Sequence, residues 1–163
     1  MKITRRSLIA SASAAAILSP ATLRAQDSEP TVHEVEMLNR DPDTGDIMVF
    51  RPAVIKVNPG DTVRFVATDR GHNSEAFDDA VPEGVEAWKG NINEEFEITL
   101  DTEGAYGYHC TPHLSAGMVG IILVGDNVDN LDALRDVRVR GRASARWEDY
   151  IARAEEMMAE TAS

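Results

Sequence analysis

The chain has 163 residues, 43% of them hydrophobic, enough for one compact domain with a real core and too apolar for a disordered chain. Its 28 acidic side chains outnumber 16 basic ones, for a net charge of −12, which argues against nucleic acid and anionic lipid as partners. Cys110 is the only cysteine, so an intramolecular disulfide is excluded.

The first elements are addresses. Lys2, Arg5 and Arg6 precede an apolar run over residues 8–18, and small residues surround Ala25. This pattern predicts an export signal over residues 1–26, too short to span a membrane. Thr4-Arg5-Arg6-Ser7-Leu8-Ile9 also resembles a twin-arginine signal. The remainder keeps 12 of the basic and all 28 of the acidic side chains, a balance of −16. No later stretch is long and apolar enough for stable membrane insertion. An exported protein that keeps one unpaired thiol needs a reason for it: burial, a partner chain, reactivity or a metal.

Short strands follow. Val35 and Met37 alternate with Glu34 and Glu36; Val63, Phe65 and Ala67 repeat the period, as do Phe96, Ile98 and Leu100. Residues 47–50, 54–57, 105–110 and 119–124 supply further strands, with turns at 41–45 and 59–61. About eight short strands predict a β-sandwich or small barrel. Residues 74–94 read as a long irregular loop, a common place for function. After Gly125 the period becomes helical. Asn130 is placed to cap a short helix carrying Leu131, Leu134 and Val137. Ser144 is placed to cap a second with Trp147, Ile151, Ala154 and Met158 on one face. That stripe is most simply a face packed on the sandwich.

The chemistry lies at the end of one strand. Cys110, His113 and Met118 share a short loop, and His72 lies upstream in Gly-His-Asn-Ser. A thiolate and two imidazoles in a plane, with a weak axial thioether, describe a blue-copper electron-transfer site. Strand alternation puts Tyr106, Tyr108 and Cys110 on one face and His109 on the other, so His109 reads as an outer-face polar residue. Pro112 stiffens the loop carrying His113, and Gly117 lets the backbone bend so that Met118 can approach. Asn73, beside His72, is the best candidate to support the ligands from outside; Leu114 and Ala116, with Pro112, form a candidate apolar docking patch around His113. His33 and the methionines Met37, Met48, Met157 and Met158 read as structural.

At these motifs the chain resembles the pseudoazurin family of cupredoxins. The resemblance runs through Val-His-Glu-Val-Glu-Met-Leu-Asn at 32–39, Met-Val-Phe at 48–50, Gly-Asp-Thr-Val-Arg-Phe-Val at 60–66, Thr-Asp-Arg-Gly-His-Asn at 68–73, Pro-Glu-Gly-Val at 82–85 and the Cys-Thr-Pro-His loop. It implies an all-β, cupredoxin-like Greek-key sandwich over residues 27–126, with two C-terminal α-helices in a packed extension over residues 127–163. It implies one copper ion held by His72, Cys110, His113 and Met118. The implied role is a periplasmic, monomeric one-electron carrier serving a copper nitrite reductase or c-type cytochromes. Plastocyanins share the Cys-x-x-His-x-x-x-x-Met spacing; the C-terminal extension favours pseudoazurin. The resemblance also implies docking through a lysine-rich ring, whereas Lys56 and Lys89 are the only lysines after residue 26, with Arg70 near the His72 motif.

Rival readings differ in testable ways. A multicopper oxidase or nitrite reductase needs further histidine clusters, and only His33 and His109 remain. A cysteine hydrolase would pair Cys110 with His113 but leaves Met118 without a role. A copper or zinc binding and delivery module is the alternative to the electron carrier, since the same donors suit zinc.

Overall fold

The protein is described from a computed structural model over residues 29–161. The expected export signal over residues 1–26 lies outside these described residues.

Among the described residues, eight strands form two sheets. β1 (Val32–Arg40), β2 (Ile47–Arg51), β4 (Asp61–Val66) and β6 (Phe96–Leu100) are ordered β2-β1-β4-β6. The second sheet takes β3 (Val54–Val57), β5 (Glu75–Ala76), β7 (Gly104–His109) and β8 (Val119–Val124) in the order β3-β8-β7-β5. β1 runs parallel to β4, and β3 parallel to β8; the remaining pairings are antiparallel. The expected sandwich of about eight strands is therefore present.

The burial pattern explains the layering. β4 alternates buried and half-buried residues, with Val63 and Phe65 turned inward, because one face of its sheet meets solvent. β8 is buried at every position. Its Ile122 and Val124 join the core between the sheets, while Val119, Ile121 and Leu123 join a second core on the other face. A continuous apolar strand needs both faces covered, and the covering element here is α1 (Arg142–Thr161).

α1 lays Ala143, Trp147, Ile151 and Ala154 on that outer face. The indole of Trp147 occupies the space above Gly107, where a Cβ would stand 2.5 Å from the ring. Its Nε1–H donates to the Leu134 carbonyl at 2.8 Å.

Two local expectations are corrected. The first C-terminal helix is a six-residue 3-10 turn, Leu131–Asp136, and Asn130 does not cap it by its side chain. That side chain instead accepts from the Ala105 N–H and donates to the Ala105 carbonyl, both at 2.7 Å, so tertiary pairing with β7 outcompetes the cap. The second helix begins at Arg142, before Ser144. Gly141, with φ 68°, turns the chain into it, and the Ser144 N–H bonds the Gly141 carbonyl at 3.3 Å.

Candidate metal centre

The three nitrogen and sulfur donors come from two places that the sandwich brings together. β7 ends at His109 and delivers Cys110 on the same face as Tyr106 and Tyr108, all three at most 1% exposed. Tyr108 packs edge-on against Phe50 and Phe65, with ring centroids 4.7 and 5.1 Å away, so the sulfur sits at the end of a dry aromatic core. His72 lies in the turn after β4 and is fully buried.

Cys110 Sγ is 3.7 Å from His72 Nδ1 and 3.6 Å from His113 Nδ1, and the two Nδ1 atoms are 3.1 Å apart. A point equidistant from the three atoms lies about 2 Å from each, close to the bond lengths of a nitrogen- and sulfur-ligated first-row ion. The donor set therefore fits a single metal ion with soft and borderline ligands. Among the described residues no other group of histidine, cysteine, aspartate or glutamate converges in this way.

The loop from Cys110 to Met118 is closed by its own backbone. Thr111–Ala116 forms a 3-10 turn with Pro112 at its start, and the His113 N–H bonds the Cys110 carbonyl at 3.1 Å. Gly117 ends it at φ 96°, a left-handed value that favours glycine. The Met118 N–H then bonds the His113 carbonyl at 3.2 Å, and the Cys110 N–H bonds the Met118 carbonyl at 3.0 Å. Met118 is fully buried in the same cluster as Cys110.

Burial favours the neutral form of both Cys110 and His72. Burial pushes the Cys110 thiol upward, while the N–H groups of Asn73 and His113 oppose that by stabilising the anion. Burial pushes His72 downward, helped by the neighbouring His113, so its imidazole stays neutral. The His72 Nε2 meets Asn39 Oδ1 at 3.0 Å.

Asn73 follows His72 in the chain and faces the loop after Cys110. It is 2% exposed, its Oδ1 accepts from the Thr111 N–H at 2.9 Å, and its Nδ2 donates to Thr111 Oγ1 and to the Gly90 carbonyl. It thereby ties the His72 turn to the Cys110 loop. Leu114 and Ala116 are half-buried beside half-buried His113, and Pro112 is exposed. Leu114, Pro112, Thr111 and Ser115 join Arg138 and Arg140 around an open depression of about 310 Å³.

The other histidines stay apart. His33 Nε2 meets Asp61 Oδ2 at 2.8 Å, away from the donor cluster. His109 does point away from Cys110, but it is half-buried and not simply a polar surface group. Its ring stacks on Phe77 at 4.3 Å, because residues 77–80 and α1 cover that face of the sheet. The sequence reading missed Asn39, although a ligating imidazole requires an acceptor for its other nitrogen. It also missed Arg146, whose guanidinium reaches the Gly117 carbonyl at 2.8 Å.

A two-sheet sandwich whose buried cysteine meets two imidazoles beyond the end of one strand defines a cupredoxin, the class of copper electron carriers. A model of the plastocyanin/azurin family of copper-binding proteins matches residues 35–125. The chain is 45% identical over 120 residues to a pseudoazurin from Paracoccus pantotrophus, covering 74% of this chain and 81% of that one. It is 41% identical over 133 residues to a pseudoazurin from Methylorubrum extorquens, covering 82% and 86%. A solved pseudoazurin structure from Sinorhizobium superposes with a TM-score of 0.73 at 47% identity, covering 77% of this chain and 97% of that one. The chain belongs to the plastocyanin/azurin family and, within it, to the pseudoazurins; its cofactor is copper. Among the described residues no helix is long and apolar enough to cross a membrane.

Proposed function

We propose that the protein is a periplasmic one-electron carrier, in which His72 Nδ1, Cys110 Sγ, His113 Nδ1 and the Met118 thioether would hold copper. The observation that carries this reading is the convergence of three donor atoms within 4.8 Å of one another, at the edge of a water-excluding core. Bound copper supplies the Cu(I)/Cu(II) couple. The chain supplies rigidity: Asn39 orients His72, Asn73 joins the two ligand-bearing segments, and the backbone N–H groups of Asn73 and His113 stabilise the thiolate. A site that barely rearranges between oxidation states lowers the barrier to transfer.

His113, the ligand nearest solvent, is the electron exit. Leu114 and Ala116 surround it as an apolar contact patch, and a copper nitrite reductase or c-type cytochrome is the partner class that the family relationship favours. Lys56 and Lys89 do not supply the positive rim, since they pair with Asp126 at 2.6 Å and Glu75 at 2.8 Å. Arg138 and Arg140, which line the same depression as Pro112 and Leu114, pair with no carboxylate among the described residues and are the basic groups placed to serve this patch. The chain acts as a monomer, exported by the signal over residues 1–26.

Copper titration of the purified apoprotein tests the reading. One equivalent should produce an intense visible thiolate-to-copper band that reductant bleaches reversibly, and Cys110→Ser should lose the band while remaining folded. Met118→Gln should keep the band and lower the reduction potential, because a harder axial ligand favours Cu(II). A colourless copper complex would point instead to a binding and delivery module.

A further inference from the structure

We propose that Arg146 is a positioning residue for the metal loop, reaching from α1 to hold the peptide that leads into Met118. This rests on the ligand assignment above, and it gives the C-terminal helix a role beyond covering the sheet.

The guanidinium is only 14% exposed. Its Nη1 faces three carbonyl oxygens from two other segments: Gly117 at 2.8 Å, Met48 at 3.0 Å and Ile47 at 3.3 Å. The nearest carboxylate, Asp46, stands 3.7 Å from Nη2 and is 61% exposed. Peptide carbonyls, more than a counter-ion, therefore receive this charge. Hydrogen bonds from a cation to carbonyl oxygen are stronger than neutral ones, and Nη1, held in the guanidinium plane, aims its two N–H groups in fixed directions, which a freely rotating ammonium does not.

Both acceptor segments occupy unusual backbone. Gly117 sits at φ 96°, and a Cβ there would stand 3.2 Å from Arg146 Nη1. Met48 sits at φ 51°, a left-handed value that strains an L side chain. One guanidinium thus braces the strained point of β2 and the residue immediately before the axial ligand. The helix does not depend on this contact for docking, because Ala143, Trp147, Ile151 and Ala154 already bury it against the sheet. A thioether would bind a copper ion more weakly than a thiolate or an imidazole, so Met118 would respond most to a small rotation of its own peptide.

The test compares Arg146→Lys and Arg146→Met with Arg135→Met. Arg135 also joins α1 to the preceding turn, through Glu148 and Glu155, but touches no part of the metal loop. Two quantities are measured: hydrogen exchange of the Met118 amide in the apoprotein, and the relative intensity of the visible thiolate-to-copper bands after loading. Both Arg146 variants should speed Met118 exchange about tenfold and change the band ratio, with Arg146→Lys keeping the charge but not the effect. Arg135→Met should leave both at wild-type values. Unchanged exchange and unchanged bands in the two Arg146 variants would overturn the proposal. So would exchange that rises equally throughout the chain with the band ratio intact. If the wild-type protein shows no thiolate band, the ligand assignment fails, while Met118 exchange in the apoprotein still decides whether Arg146 holds the loop.

Discussion

His72 and Asn39, 33 residues apart, meet at 3.0 Å between Nε2 and an amide oxygen. An amide oxygen only accepts, so Nε2 carries the imidazole proton and the Nδ1 lone pair is left facing Cys110 and His113. Asn39 is itself held, its backbone N–H donating to Asp69 Oδ2 at 2.7 Å. Asn39→Ala removes the tautomer-setting acceptor without touching a ligand. Copper affinity should fall about tenfold or more, read by competition with a chelator of known strength. Wild-type affinity in this variant would show that the contact does not set the ring.

Asn73 makes its three bonds from a buried position, and Asn73→Ala leaves the Gly90 carbonyl and the Thr111 N–H without their partner. The apoprotein should lose about 2 kcal/mol of stability in urea denaturation, the scale of an abandoned buried polar group. A loss confined to a few tenths would mean that water replaces the side chain.

Loading should depend on pH with a defined sign. Burial raises the Cys110 thiol above its ordinary value of 9.0, so it is protonated in the apoprotein at neutral pH and must release that proton to bind metal. His72 is pushed below its ordinary 6.5 and does not compete. Between about pH 7 and 8 the apparent copper affinity should therefore rise about tenfold for each pH unit. A flat profile over that range would contradict thiolate ligation.

Asp61 gives a separate prediction about the scaffold. Burial pushes its carboxyl up, but the N–H groups of Thr31 and Asn58 and the ring of His33 outweigh it and hold the value below the ordinary 3.8. A depressed carboxyl contributes stability that is present above the unfolded value and is lost as pH falls through the folded one. Asp61→Asn should cost about 2 kcal/mol at neutral pH and flatten the loss of stability below pH 3.8. Urea midpoints measured across that range check it; an unaltered acid profile would exclude Asp61 as its source.

The strands were legible because their residues alternate where one face meets solvent, as Val63 and Phe65 do. The sequence alone placed Cys110 inward beside Tyr106 and Tyr108, because side-chain direction along a strand follows a period of two. It also marked His113 and Met118, since both lie on one short loop with Pro112 and Gly117 at its bends. It gave the wrong role to Asn130, whose local capping preference lost to a contact with Ala105 that is 25 residues away.

Only the tertiary structure decided how the distant pieces meet. That His72 comes within 3.7 Å of the sulfur, that Asn39 orients it, and that Arg146 reaches back from α1 to Gly117 are contacts across 29 to 38 positions of chain. The reason is physical. Period and turn chemistry are local properties of a backbone, whereas hydrogen bonds between remote side chains exist only after burial has packed the two sheets and α1 together.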